Sequence, residues 1–334
     1  MPAAGRACST WEVYASPIPD NERVHDLEGA PGAPHPHAKM AAEDDGRPRL
    51  AFIGAGRVGD ALAVAFARAG WRVTAVASRD EGRRARFAAL VPGARAFAEP
   101  QAVLDDADLV FLTVPDDAIA GVAASLHLYS GQGLVHTSGA LPASVLSVAM
   151  AAGTSAGGFH PLVAFADHDQ ALVDLAGSTV AVEGDESLLP LLAELAESIG
   201  ARPVTLPEGG KTAYHAAAMM AAGGLVGLLD AIASVAQAAG LDERMAIAVY
   251  APLARQALAN AERMGIDGAL TGPLLRGDIG TLRGHLEALA QHAPSAVALY
   301  VEVARREVAI ARRRGELTED HAAQIERLLA AANR

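Results

Sequence analysis

LAFIGAGRVG, residues 50–59, runs directly into DALAVAFARAG, residues 60–70. Four apolar residues in a row read as a buried strand, and the Ala-rich run after them reads as a helix that stops at Gly70. Between the two stand Gly54, Gly56 and Gly59, so the glycines fall where strand becomes helix. Working outward, the same alternation repeats. RVTAVA (72–77) is a strand, a helix starts at Asp80, DLVFLTV (108–114) is a strand, a helix starts at Asp116, and GLVHTS (133–138) is a strand. Further strands are expected around Ala156–His160, Thr179–Glu183 and Pro203–Leu206. Strands alternating with helices imply an α/β fold with a doubly wound, mostly parallel sheet.

That domain is expected over residues 48–207. After Glu208-Gly209-Gly210 the pattern turns helical, with breaks near Gly240, Gly265, Gly277, Pro294 and Gly315, so residues 208–334 read as an all-α domain. Ala216–Ala239 is apolar on nearly every side, which predicts a helix buried all round, and a homodimer core is one way to bury it. Residues 1–47, rich in Pro, Gly, His and acids, show no apolar period and read as a disordered extension; Met40 is an alternative start.

The composition limits what the chain can do. At a formal charge of -12 it would repel nucleic acid and anionic lipid, so neither is an expected partner. Apolar residues make up 51% but aromatics only 4%, which predicts a core of Ala, Val and Leu. Cys8, the single cysteine, lies in the extension and leaves no disulfide or thiolate metal site in the folded part. No signal peptide or membrane span is expected, the longest apolar run stopping at Asp230, and the expected location is the cytoplasm.

Gly54-Ala55-Gly56-Arg57-Val58-Gly59 has the context that a dinucleotide-binding fingerprint requires. Gly54 allows the tight turn, Gly56 lets a pyrophosphate approach the backbone, and Gly59 lets the helix pack on the sheet. The second strand ends in Ser78-Arg79, a hydroxyl and a guanidinium that suit the 2′-phosphate of NADP(H). Asp80 or Glu81 would bind an NAD ribose if the strand ran longer. Thr113-Val114-Pro115 closes a strand where Pro115 would wall the cofactor ribose, and Asp116 reads as a helix cap.

The substrate side is expected at the next strand ends. Ser138 would bind a carboxylate or carbonyl, with Gly139 beside it; His160 either joins the cleft, faces solvent or sits in the core. Lys211 and His215, four apart, share a helix face. A carbonyl accepting hydride needs a proton and a donor to hold its oxygen, so Lys211 reads as proton donor and His215 as the orienting group. Arg276 and Asp278 either touch substrate, from this chain or a second copy, or form a local ion pair and helix cap.

GAGRVG, SR, TVPDD, HTSGAL, FHPL, KTAYHAAA and TGPLLRGD together resemble the bacterial family that joins a Rossmann-like domain to a DUF2520 domain, over about residues 48–330. That family resembles a branch of the 6-phosphogluconate dehydrogenase superfamily, which includes ketopantoate reductases, pyrroline-5-carboxylate reductases and prephenate dehydrogenases. The resemblance implies NADP(H)-dependent reduction of a small 2-oxo acid such as ketopantoate. Many members carry Asn four residues after the Lys, where this chain has His215. His-Pro-Leu at 160–162 also resembles the His-Pro-Met of prephenate dehydrogenases. Imine reduction, or NADP(H) sensing without catalysis, are the other readings.

Overall fold

The computed structural model describes residues 46–147 and 153–333, so the expected N-terminal extension lies outside the described residues except for its last two positions. Eight strands form one sheet in the order β3-β2-β1-β4-β5-β6-β7-β8. They are β1 (Leu50–Ile53), β2 (Val73–Ala77), β3 (Arg95–Phe97), β4 (Leu109–Leu112), β5 (Gly133–His136), β6 (Ser155–Pro161), β7 (Thr179–Gly184) and β8 (Arg202–Thr205). Neighbours are parallel throughout, except that β6 and β7 are antiparallel, with Gly158 opposite Glu183. The short edge strand β3 is an addition to the sequence reading; exposed Arg95 and Ala96 give it no apolar signature.

Helices α1 (Arg57–Arg68), α2 (Glu81–Leu90), α3 (Asp116–Ser125), α4 (His168–Leu175) and α5 (Leu189–Ser198) accompany the sheet. Connections from β1 and β4 leave in opposite directions along the strand order, so the crevice at the switch point opens between the ends of these two strands. β1, β4 and β5 are buried at every position. The core differs from the one composition predicts. Phe52, Phe66, Phe87, Phe111 and Phe159, five of the seven phenylalanines, gather on one sheet face. Phe52 stacks on Phe111 at 5.2 Å between centroids, and Phe159 meets Phe111 edge-on at 5.7 Å.

The helical half begins with α6 (Lys211–Ala239), a continuous helix with a π-helical turn at Met220–Gly224. It continues through α7 (Glu243–Ala269), broken at Gly265, then α8 (Ile279–His292), α9 (Val297–Arg313) and α10 (Glu319–Ala332). Leu282, Val301, Val308, Ile325 and Leu329 make its core. Two expectations need correction here. In the single chain α6 is not buried all round: Met219, Met220, Leu225 and Val226 are exposed. It is also 29 residues long and apolar enough by length and composition to cross a membrane, because helix continues past Asp230 and one carboxylate does not end the apolar run.

Candidate functional site

The turn after β1 is built as its glycines require. Gly54 has φ +114°, and a Cβ there would lie 2.6 Å from the Thr113 carbonyl oxygen, so a side chain is excluded by conformation and by contact. Thr113 Oγ1 donates to Gly54 O at 2.6 Å, tying the ends of β1 and β4 together. Asp60, buried in the first turn of α1, accepts from Arg86 Nε at 2.8 Å, and Arg86 Nη2 reaches Ala55 O at 3.0 Å. Gly59 lies beneath, where a Cβ would meet Gly54 O at 2.5 Å.

Above this turn runs a cleft of about 1320 Å³. Gly54, Gly56, Arg57 and Val58 line its middle, Ser78, Arg79 and Arg83 one end, and Ser138, Gly139 and His215 are among its lining as well. Thr113, Val114 and Pro115 form part of the wall. A dinucleotide fits this arrangement on a specific observation. A Cβ on Gly56 would meet nothing closer than 3.9 Å, so the backbone between the two packed glycines faces open space at the N-terminus of α1. β2 ends at Ala77, which leaves Ser78 and Arg79 just past it; Arg84 Nη1 fixes that corner by donating to Ser78 O at 2.6 Å. Asp80 caps α2, accepting from Arg83 N at 2.9 Å, and that bond holds its carboxyl below the ordinary range. Arg83, absent from the sequence reading, sits one turn into α2 and adds a second guanidinium at that end.

At the end marked by His215 the structure corrects several roles. Ser138 is buried; its hydroxyl donates to Asp116 Oδ2 at 2.8 Å and accepts from the N–H groups of Ala140 and Leu141 at 3.1 and 3.0 Å. With its donor and both acceptor positions engaged it holds the loop and is not free to bind substrate. Asp116 does not cap α3: Pro115 is at the N-cap, and the Asp116 carboxylate in the first turn is the partner of Ser138.

Lys211 is only 2% exposed and does not line the cleft. Its Nζ lies 3.1 Å from Glu183 Oε1, in the space left by Gly158. Burial lowers the ammonium's pKa, against the opposing charge of Glu183. The expected proton donor is therefore sealed in an ion pair. His160 also lies behind the lining, with Nδ1 3.2 Å from the Tyr214 hydroxyl and its ring 5.8 Å from that of His215. Burial first, and then the Lys211 charge, push His160 down to about 4. Arg276 and Asp278 do not line this cleft. Asp278 caps α8, accepting from Thr281 N at 3.0 Å and Thr281 Oγ1 at 2.7 Å, and Arg276 is exposed.

Two family models match the chain, a Rossmann-like domain over residues 36–161 and the domain of unknown function DUF2520 over residues 178–307. It is a Rossmann-like plus DUF2520 protein. No curated protein matches it. Among solved structures, protein TM1727 from Thermotoga maritima is 26% identical, with 79% of this chain and 99% of that one covered at a TM-score of 0.64. An imine reductase from Pseudomonas sp. is 18% identical over 86% of this chain and 100% of that one, TM-score 0.60. An imine reductase from Myxococcus stipitatus in complex with NADP+ is 20% identical over 80% and 93%, TM-score 0.56. The Rossmann-like plus DUF2520 chain shares its fold with these reductases.

Proposed function

We propose that this cleft binds NADP(H) and that the chain reduces a small 2-oxo acid of the ketopantoate kind. The observation that carries the reading is one continuous cleft whose lining includes three guanidiniums, those of Arg57, Arg79 and Arg83, an open glycine turn and an imidazole. Arg79 and Arg83 supply positive charge for a 2′-phosphate, and the backbone at Gly56 gives a pyrophosphate close access. The bound cofactor would supply hydride to the substrate carbon. Around it, Pro115 walls the cleft, and the Ser138–Asp116 bond fixes the loop on which Gly139 stands.

Purified protein should quench NADPH fluorescence and oxidise NADPH when ketopantoate is added. A second reading, reduction of a cyclic imine, is favoured by the fold shared with imine reductases, and 1-pyrroline in the same assay distinguishes the two. Binding of NADPH with no turnover on any 2-oxo acid or imine would leave a sensor and overturn the enzymatic reading.

We also propose that the exposed apolar side of α6, with Met219, Met220 and Val226, is covered by a second copy of this chain. Sedimentation should then give a dimer, and a monomer at micromolar concentration would refute it.

A further inference from the structure

Two imidazoles from different parts of the fold converge on one point beside Gly139. A Cβ built on this glycine would lie 2.5 Å from His215 Nδ1 and 2.6 Å from His160 Nε2. His215 Nδ1 is buried and has no hydrogen-bond partner among the described residues. Leaving such a nitrogen unpaired costs about 1–3 kcal/mol, so the pair is incomplete without a polar atom between the rings. His215 and Gly139 both line the cleft.

We infer that His215 and His160 form an oxygen-binding clamp over Gly139, and that His215, not Lys211, gives the proton to the reduced substrate. This rests on the proposed reductase reading. Tyr214 sets the roles. Its hydroxyl lies 3.2 Å from His160 Nδ1, and in the clamp we assign it as the donor, which puts the proton of neutral His160 on Nε2, facing His215. Burial keeps His160 neutral near pH 7, so it holds the oxygen as a fixed N–H donor. Among the other charged or titratable groups nearby, Lys211 is paired with Glu183 and Asp116 accepts from Ser138. His136 is fully buried, with Nδ1 accepting from Ser138 N and Nε2 without a partner among the described residues.

In the step itself, a carbonyl carbon takes hydride from reduced nicotinamide and its π electron pair moves to oxygen. That oxygen bonds the proton as the Nδ1–H bond of His215 breaks. The imidazolium becomes neutral imidazole, the carbonyl becomes an alcohol, and the nicotinamide is oxidised. Gly139 is required because a Cβ there would press on both ring nitrogens and force the rings apart.

The test uses the full-length chain with oxamate, a non-reducible analogue of a 2-oxo acid, and histidine labelled with ¹³C at Cε1. With NADP+ present, oxamate should shift the ring signals of both His160 and His215, and Gly139→Ala should lose both shifts. In turnover, His215→Gln should keep NADPH affinity within about twofold while kcat falls about 100-fold or more. Oxamate binding that moves neither ring, or a kcat that survives in His215→Gln, would overturn the clamp. Failure of the wild type to bind NADPH would instead sink the cofactor reading, and the ring shifts with oxamate alone would still decide the clamp.

Discussion

In the sheet half Phe52, Phe66 and Phe111 are fully buried, whereas along α6 in the helical half Met220 and Val226 are 76% and 66% exposed. Both halves are rich in apolar residues, so hydrophobicity alone does not separate them. The difference is in what each residue is given to pack on. A sheet flanked by helices buries its strands within one chain. A long helix apolar on every side needs more neighbours than α7, α8 and α9 provide. The cleft depends on both halves, because its floor is the β1 turn and His215 comes from α6.

The largest effect that would break this contrast is expected at Phe111. Its ring lies 5.2, 5.5 and 5.7 Å from those of Phe52, Phe66 and Phe159, so Phe111→Ala removes the centre of the aromatic core. A loss of about 3–5 kcal/mol in urea unfolding is expected. A loss below about 1 kcal/mol would mean that the sheet half is not the self-sufficient one.

Next in size is a pH effect. His136, fully buried at the end of β5, accepts from Ser138 N at 3.2 Å, and burial followed by the Lys211 charge lowers it from 6.5 to about 4. Between those values the unfolded chain binds a proton that the folded chain refuses. Stability present above pH 6.5 is therefore lost as pH falls toward 4, by roughly 3 kcal/mol for this one group. His160 adds in the same direction. Urea midpoints at pH 7.5 and 4.5 measure the drop, and His136→Gln should reduce it. An equal drop in the variant would place the acid sensitivity elsewhere.

What the sequence made legible follows the range of the interactions involved. The β1 turn is local, so Gly54, Gly56, Arg57, Val58, Ser78, Arg79, Thr113, Val114 and Pro115 could be placed on one cleft from strand ends alone. Lys211 and His215 do share a helix, but burial decides between them, and burial depends on the direction of β7. Because β7 runs antiparallel to β6, Glu183 comes opposite Gly158 and takes the Lys211 amine. Nothing within the VAVEG run at 180–184 specifies that direction. The Ser138–Asp116 bond spans 22 residues and is equally out of reach. Tyr214 was within reach: it lies three residues after Lys211, on the helix face used to pair Lys211 with His215.

A smaller effect would sharpen the comparison on the helical side. Met220→Glu with Val226→Glu puts two carboxylates on the exposed apolar face of α6. Self-association should weaken by about 100-fold, since charges buried in an apolar contact lose hydration without gaining partners. The unfolding of the sheet half should not change. Sedimentation checks the first outcome and urea unfolding the second, and unaltered dimerisation would move the interface off this helix.

The smallest effect tests the sheet half's own ligand contact. Arg79 follows β2 and lines the end of the cleft opened by Ser78, with Arg83 close by in the lining. If both guanidiniums serve a 2′-phosphate, losing one leaves the other, so Arg79→Ala should raise the NADPH dissociation constant by only about tenfold, or about 1.4 kcal/mol. NADH, which has no 2′-phosphate, should bind the variant as it binds the wild type. The effect should also shrink as salt rises, because both charges lie near solvent. Fluorescence titration with each nucleotide reads the difference directly. Equal losses for NADPH and NADH would assign Arg79 to the shared part of the cofactor, and the preference for NADP(H) would then rest on Ser78 and Arg83.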